Sequence, residues 1–456
     1  MKPDISTGKI SPLLRAILVA FLAVAVSLVF WAVLRAPAIL ARDDNPRRVE
    51  SELRIQRGRI FDHRDNLLAE SRRTNGRFSR YYPLAAASPA VGYYSLRYGT
   101  AGIEESYDAY LRGETGNFWE DQAHDLLHQT QVGHDLRLTL DADLQARANA
   151  LLQDQTGALL LLQLGDTAVG EPAQILALAS HPGYDPNVLD EEFERLSSDE
   201  QAPLLNRVTQ GKYQPGPVLQ PFILAAALEQ GVIALDEPVA HANRPVIVND
   251  VATYCATTPP TNATWADVLT HRCPGPMQDL AGELEAADLA AIFAAFDLTA
   301  QPQLPLNTDT AVSTPISSTT LALIGQDTLI VTPLQVGVAW AALADNGRLP
   351  ALQLVESVQA EDGGWLAAQP PAREPKTAVR PETAGQIRQA LPGDEDIQAY
   401  STLVLSGPDG STNSWYLGLA PGSSPAYVVV VVLENSRELG SVERIGREML
   451  TAVRVP

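Results

Sequence analysis

The chain has 456 residues, a formal net charge of -21 and 45% apolar residues, with 33 prolines and two cysteines. That length suits two or three domains, one of them with a sizeable core. The acidic balance argues against a nucleic-acid partner, because phosphate binding needs basic surface. It reads instead as a solvated acidic surface.

Ile17 to Leu34 (ILVAFLAVAVSLVFWAVL) carries no charge and a single polar residue, Ser27. A run of that length can span a bilayer as a helix. Lys2, Lys9 and Arg15 precede it, so the positive-inside rule holds residues 1–16 in the cytoplasm and sends the bulk of the chain outside. The expected arrangement is an uncleaved single-pass anchor at 17–34. The alternative is a signal peptide cleaved near APAILA. Outside the cytosol a disulfide between Cys255 and Cys273 is permitted. The alternative is two separate buried thiols, and with no His pair nearby they make a poor zinc site.

Beyond a charged linker at Arg42 to Arg48, Glu52 to Ser71 alternates like strands around a turn at His63 to Asn66. Tyr98 to Gly116 reads as a glycine-bounded loop followed by a short helix. From Asp135 a strand leads into a helix capped at Asp141 or Asp143. Gly157 to Gly165 and Ala173 to Ser180 read as a hairpin. Phe222 to Gly231 and Thr332 to Gly347 read as helices stopped by glycine. Gln359 to Arg380, rich in Ala, Pro and charge, reads as a linker. Ser414 to Pro421 and Ala426 to Glu434 read as antiparallel neighbours, with VVVVVL as a buried central strand. Helices mixed with antiparallel hairpins predict an α+β fold.

These segments, in this order, resemble the class B penicillin-binding proteins. RGRIFDHRDNLLA (Arg57 to Ala69) and YGTAGIEESYDAYLRG (Tyr98 to Gly113) are similar to that family's pedestal segments. TLDADLQ, ILALASHPGYDPN, NRVTQGKYQPG and GQDTLIVTPLQ resemble successive segments of its transpeptidase domain. The resemblance implies a serine transpeptidase/β-lactamase-like domain, an antiparallel sheet flanked by helices, at 135–456. It implies a dimerisation-like pedestal domain at 35–134. It implies partners among cell-wall synthesis or divisome proteins and peptidoglycan peptides, besides the membrane, and it calls for no cofactor or metal.

The family's chemistry needs a Ser-x-x-Lys, in which nucleophile and base stand one helical turn apart. It also needs a Ser-x-Asn, and a Lys-Thr-Gly on a strand to bind the substrate carboxylate. The first pair falls on Pro217 and Gln220, which supply neither nucleophile nor base. The second falls on Arg272 and Pro274. The third falls on Pro408, Asp409 and Gly410, or on Ser406 to Pro408 in a shifted register. The chain has only four lysines, Lys2, Lys9, Lys212 and Lys376, so relocated motifs are easily checked. Ser6–Lys9 lies on the cytoplasmic side. Thr209–Lys212 contains a helix-breaking glycine. Lys376-Thr377-Ala378 falls in the linker. The expected function is therefore a catalytically inactive relative acting as scaffold or regulator. The alternatives are a muropeptide-binding sensor, and an active D,D-transpeptidase with an unrecognised nucleophile.

Overall fold

A computed structural model describes residues 10–31, 52–114, 131–309, 315–371, 374–407, 410–422 and 424–453. They fall into two units, one of residues 1–55 with 73–79 and the other of 56–72 with 80–456. In the first unit, helix α1 (Ile10–Val29) exposes every side chain from Leu14 to Trp31. It begins and ends earlier than the span expected at 17–34, whose last three residues lie outside the described ones. Among the described residues no helix is long and apolar enough to cross a membrane.

Further along the chain, β1 (Ile60–Phe61) and β2 (Leu67–Thr74) flank the expected turn. Asp62 builds that turn: its Oδ1 accepts the backbone N–H groups of Arg64 and Asn66. After β3 (Arg77–Tyr81), two short helices at Ile103–Ser106 and Asp108–Arg112 end on Gly113 in the left-handed region. Glu104, fully buried, joins Arg57 and Arg80. The chain continues through β4 (Leu136–Leu138) into α2 (Ala142–Leu152), capped by the Asp141 carboxylate on two backbone N–H groups.

Next come β5 (Gly157–Gln163) and β6 (Ala173–His181), then α3 (Gln220–Glu229). A hairpin of β7 (Val246–Val248) and β8 (Val251–Thr253) precedes α4 (Trp265–His271) and α5 (Pro274–Asp279). Helix α6 (Pro333–Ala344) is buried along its whole length and starts with a Thr332/Gln335 capping box. Among the further elements are β9 (Leu352–Gln353), β10 (Val355–Gln359), β11 (Trp365–Ala367), β12 (Gln398–Leu405), β13 (Thr412–Ala420), β14 (Tyr427–Leu433) and α7 (Gly440–Ala452).

Two six-stranded sheets result, ordered β11-β10-β4-β1-β2-β3 and β9-β6-β5-β14-β13-β12. The second is the α+β sheet that was expected. Its valine run, β14, pairs on both sides and is buried, which is why it shows no alternation. Helices α2 and α7 pack on one face of this sheet, and α6 on the other. The stretch expected as a linker at Gln359 to Arg380 is partly strand: β11 pairs with β10 through a turn in which Gly363 has φ +84°. A composition rich in Ala and Pro hid a hairpin that one glycine makes accessible.

Candidate active site

The first expected pair sits where α3 begins. A 3-10 turn over Gly216–Leu219 leads into the helix, and Gly216 has φ +53°. A Cβ at that glycine would lie 2.6 Å from a Val404 methyl, so strand β12 and the turn approach as closely as only glycine allows. Pro217 faces a cavity of about 390 Å³. Gln220, one turn on, is buried. Its Nε2 donates to the Cys273 carbonyl (3.0 Å), and its Oε1 lies 2.7 Å from the Tyr400 hydroxyl. The same hydroxyl is 2.9 Å from the Pro217 carbonyl, so one phenolic proton serves two acceptors. Burial raises the Tyr400 phenol above its ordinary range despite the nearby Arg272 charge, so the hydroxyl stays neutral and donating.

The second pair sits between α4 and α5. Helix α4 opens on a Thr264/Asp267 capping box and closes on Arg272, which is in the left-handed conformation (φ +53°). Pro274 starts α5 at a position where a missing N–H costs nothing. Cys273, between them, is bonded to Cys255, so the permitted disulfide is present. The Arg272 guanidinium donates to the Thr270 carbonyl (3.0 Å) and to Ser401 Oγ (3.1 Å), and lies 5.6 Å from the Tyr400 ring centre. Ser401 donates in turn to Glu443 in the first turn of α7. Arg272 Nε is buried with no hydrogen-bond partner.

The third set is seen only in part. Pro408 and Asp409 lie outside the described residues. Gly410 stands between the end of β12 at Leu405 and the start of β13 at Thr412, at φ +76°. At that φ Gly410 is not in an extended strand conformation. Of the large sheet it is chiefly the edge strand β12 that borders the cavity, contributing Thr402, Leu403 and Leu405 to the wall. The strand residues beside Pro217, Gln220 and Arg272 are therefore Tyr400, Ser401 and Thr402. Sequence reading missed them because it placed the triplet directly before β13, in the β12–β13 connection, and not on β12. Pairing AYSTLVL backward from SWYLGLAP as a hairpin would have found them.

The cavity thus gathers Pro217, Arg272 and Pro274 with β12 on one side and the β7–β8 hairpin on the other. Arg272 is its single ionised lining residue among those described, and neither serine nor lysine lines it. The relocated candidates stay out. Lys212 pairs with Asp309 (3.3 Å), while Thr209 is buried. Lys376 is held by Asp297. Ser6 and Lys9 lie outside the described residues.

Residues 170–451 match the penicillin binding protein transpeptidase domain, and residues 57–136 match the penicillin binding protein A dimerisation domain. The chain belongs to the penicillin-binding protein transpeptidase family. It is homologous to class B members of that family. It is 28% identical to the peptidoglycan D,D-transpeptidase PbpA of Mycolicibacterium smegmatis, over 92% of this chain and 93% of that protein. A 148-residue stretch, 30% of this chain and 22% of the relative, is 35% identical to the peptidoglycan D,D-transpeptidase MrdA of Escherichia coli K12. Among solved structures, penicillin-binding protein A from M. tuberculosis as its imipenem acyl-enzyme complex superposes with a TM-score of 0.77 at 25% identity, covering 88% of this chain and 99% of that one. The D,D-transpeptidase domain from Eggerthella lenta shares the fold, with a TM-score of 0.74 at 23% identity, over 88% of this chain and 99% of that one.

Proposed function

We propose that this chain is a membrane-anchored, catalytically inert homologue of the peptidoglycan D,D-transpeptidases, and that it acts as a scaffold or regulator in cell-wall synthesis or division. The observation that carries the reading is the pairing of Pro217 with a buried Gln220, hydrogen-bonded at both ends of its amide, at the start of α3. Proline has no nucleophile, and an amide is no base at neutral pH. Gln220 is also held on both ends of its side chain, so the helix start is a packed joint between α3, the loop at Cys273 and β12. The uncharged run Ile17 to Leu34 and the exposed apolar side chains of α1 support an anchor, with the N-terminus cytoplasmic and the rest of the chain extracytoplasmic. A pedestal domain at 35–134 and a transpeptidase-like domain at 135–456 remain our division of the chain.

Incubating the purified full chain with a fluorescent penicillin tests the reading. No covalent labelling is expected, beside a labelled active D,D-transpeptidase as control. A labelled band that survives denaturation would sink the proposal.

A second reading is favoured by the cavity. About 390 Å³ stays open beside Arg272, enough for non-covalent capture of a peptidoglycan peptide by an extracytoplasmic sensor. Calorimetry with muropeptides separates the two: heat of saturable binding supports the sensor, and its absence leaves the scaffold.

A further inference from the structure

One wall of the cavity is the β7–β8 hairpin, which contributes Val248, Val251, Ala252 and Thr253. This hairpin belongs to neither large sheet and forms a ladder of three residue pairs only. It turns through Asn249 and Asp250, both at positive φ, a two-residue turn suited to strand twist. Two-stranded hairpins are marginally stable alone, so something else must hold this one in place. Val246 and Val248 are buried along one strand of it. Past β8, the backbone N–H of Ala256 donates to the His271 carbonyl (2.9 Å), and Thr257 Oγ1 pairs with His271 Nδ1 (2.7 Å). The one covalent tie is the bond from Cys255, two residues past β8, to Cys273.

The two ends of that bond are held very unequally. Cys273 is fully buried between α4 and α5, and its carbonyl accepts from Gln220. Cys255 is half-buried, and its neighbours Tyr254 and Ala256 are exposed. If the bond opened, Cys273 would stay where helices α3, α4 and α5 keep it. The hairpin would be the part released. Because the hairpin is a cavity wall, its release changes the width of the cleft next to Arg272 and Pro274.

We propose that the Cys255–Cys273 disulfide is a redox-sensitive latch that holds the β7–β8 hairpin as a wall of the cleft. The reductant is a dithiol. Its thiolate attacks the sulfur of Cys255, the half-buried, cavity-lining end, the protein S–S bond breaks, and Cys273 leaves as a thiolate that takes up a proton. The second thiol of the reductant then attacks the mixed disulfide and releases Cys255. The protein disulfide is reduced to two thiols while the dithiol is oxidised to a disulfide. This inference does not depend on whether the chain is inert, since it concerns the wall of the cleft rather than its chemistry.

Hydrogen exchange read by mass spectrometry tests it on the full chain, with and without dithiothreitol. Alkylation should first show that two thiols become available under conditions that leave the protein folded. The amides of residues 246–256 should then exchange at least about tenfold faster, a shift in local opening. Those of α4, α5, β5, β6, β13 and β14 should keep their protection. The double variant Cys255→Ser/Cys273→Ser should show the same pattern with no reductant present. Unchanged exchange across 246–256 after complete reduction would overturn the latch. So would a general loss of protection in the reduced wild-type chain, which would make the bond a staple of the whole fold. Failure of alkylation in the folded protein would overturn it as well, because the bond would then be closed to reductant.

Discussion

Gln220 and Tyr400, 180 residues apart in the chain, meet at 2.7 Å in a buried hydrogen bond. It ties the first turn of α3 to the edge strand β12 at the point where the cavity begins. Gln220 also reaches the Cys273 carbonyl, so three segments converge on one amide. This joint gives a structural reason for Gln at the position, independent of any lost chemistry.

Replacing Tyr400 by Phe removes the one hydroxyl that serves Gln220 Oε1 and the Pro217 carbonyl. Leaving a buried acceptor unpaired costs about 1–3 kcal/mol. Equilibrium urea unfolding of Tyr400→Phe should show a loss of that order with little change in m-value.

Restoring the first pair alone should not restore reaction with penicillin. In Pro217→Ser/Gln220→Lys, a lysine would enter a buried site beside a neutral Tyr400, where desolvation lowers an amine's affinity for its proton. Arg272 and Tyr400 would remain where they are. Absence of a covalent fluorescent adduct in a variant shown to be folded by circular dichroism is the expected result.

Gly216→Ala tests the close approach of the α3 turn to β12. The position combines φ +53° with a Cβ 2.6 Å from a Val404 methyl. Positive φ in a non-glycine residue alone costs about 1–2 kcal/mol, and the clash adds to it. A thermal shift larger than that of Gly282→Ala, where a Cβ meets nothing within 4 Å and φ is not in the left-handed region, would establish the point.

Acid should weaken the protein partly through Glu104. Burial by itself would raise this carboxyl, but Arg80 and Arg57 outweigh it and hold the group below the ordinary carboxylate range. A depressed folded-state pKa means the contribution is fully present above the unfolded value of about 4.3. It is lost as pH falls through the folded value. Glu104→Gln should flatten the acid limb of the stability profile below about pH 4.3. It should also lower stability at neutral pH by about 3–5 kcal/mol, since buried Arg80 loses its counter-charge and Arg57 keeps only Asp108. Denaturant unfolding from pH 7 downward reads both effects.

Much of the fold was legible in local pattern. The Asp62 turn, the Asp141 cap, the Thr332/Gln335 capping box and the all-apolar β14 are each decided by neighbours within a few residues or by continuous burial. The candidate site was legible only in part. Pro217 and Gln220 could be placed because they follow a characteristic glycine turn, and Arg272 because it adjoins Cys273. The strand position was missed, because its register depends on where β12 pairs with β13 and not on a motif in the sequence.

The sequence by itself determined what chemistry is on offer: only four lysines, and a proline and an amide at the head of α3. Side-chain identity needs no fold to be read. Only the tertiary structure decided that Gln220 is a joint, that Tyr400 is its partner and that Arg272 reaches Ser401 on the same edge strand. Those contacts join residues more than a hundred positions apart, brought together when helices and hairpin bury their apolar faces against one sheet. No local propensity encodes such a meeting, because its free energy comes from long-range burial.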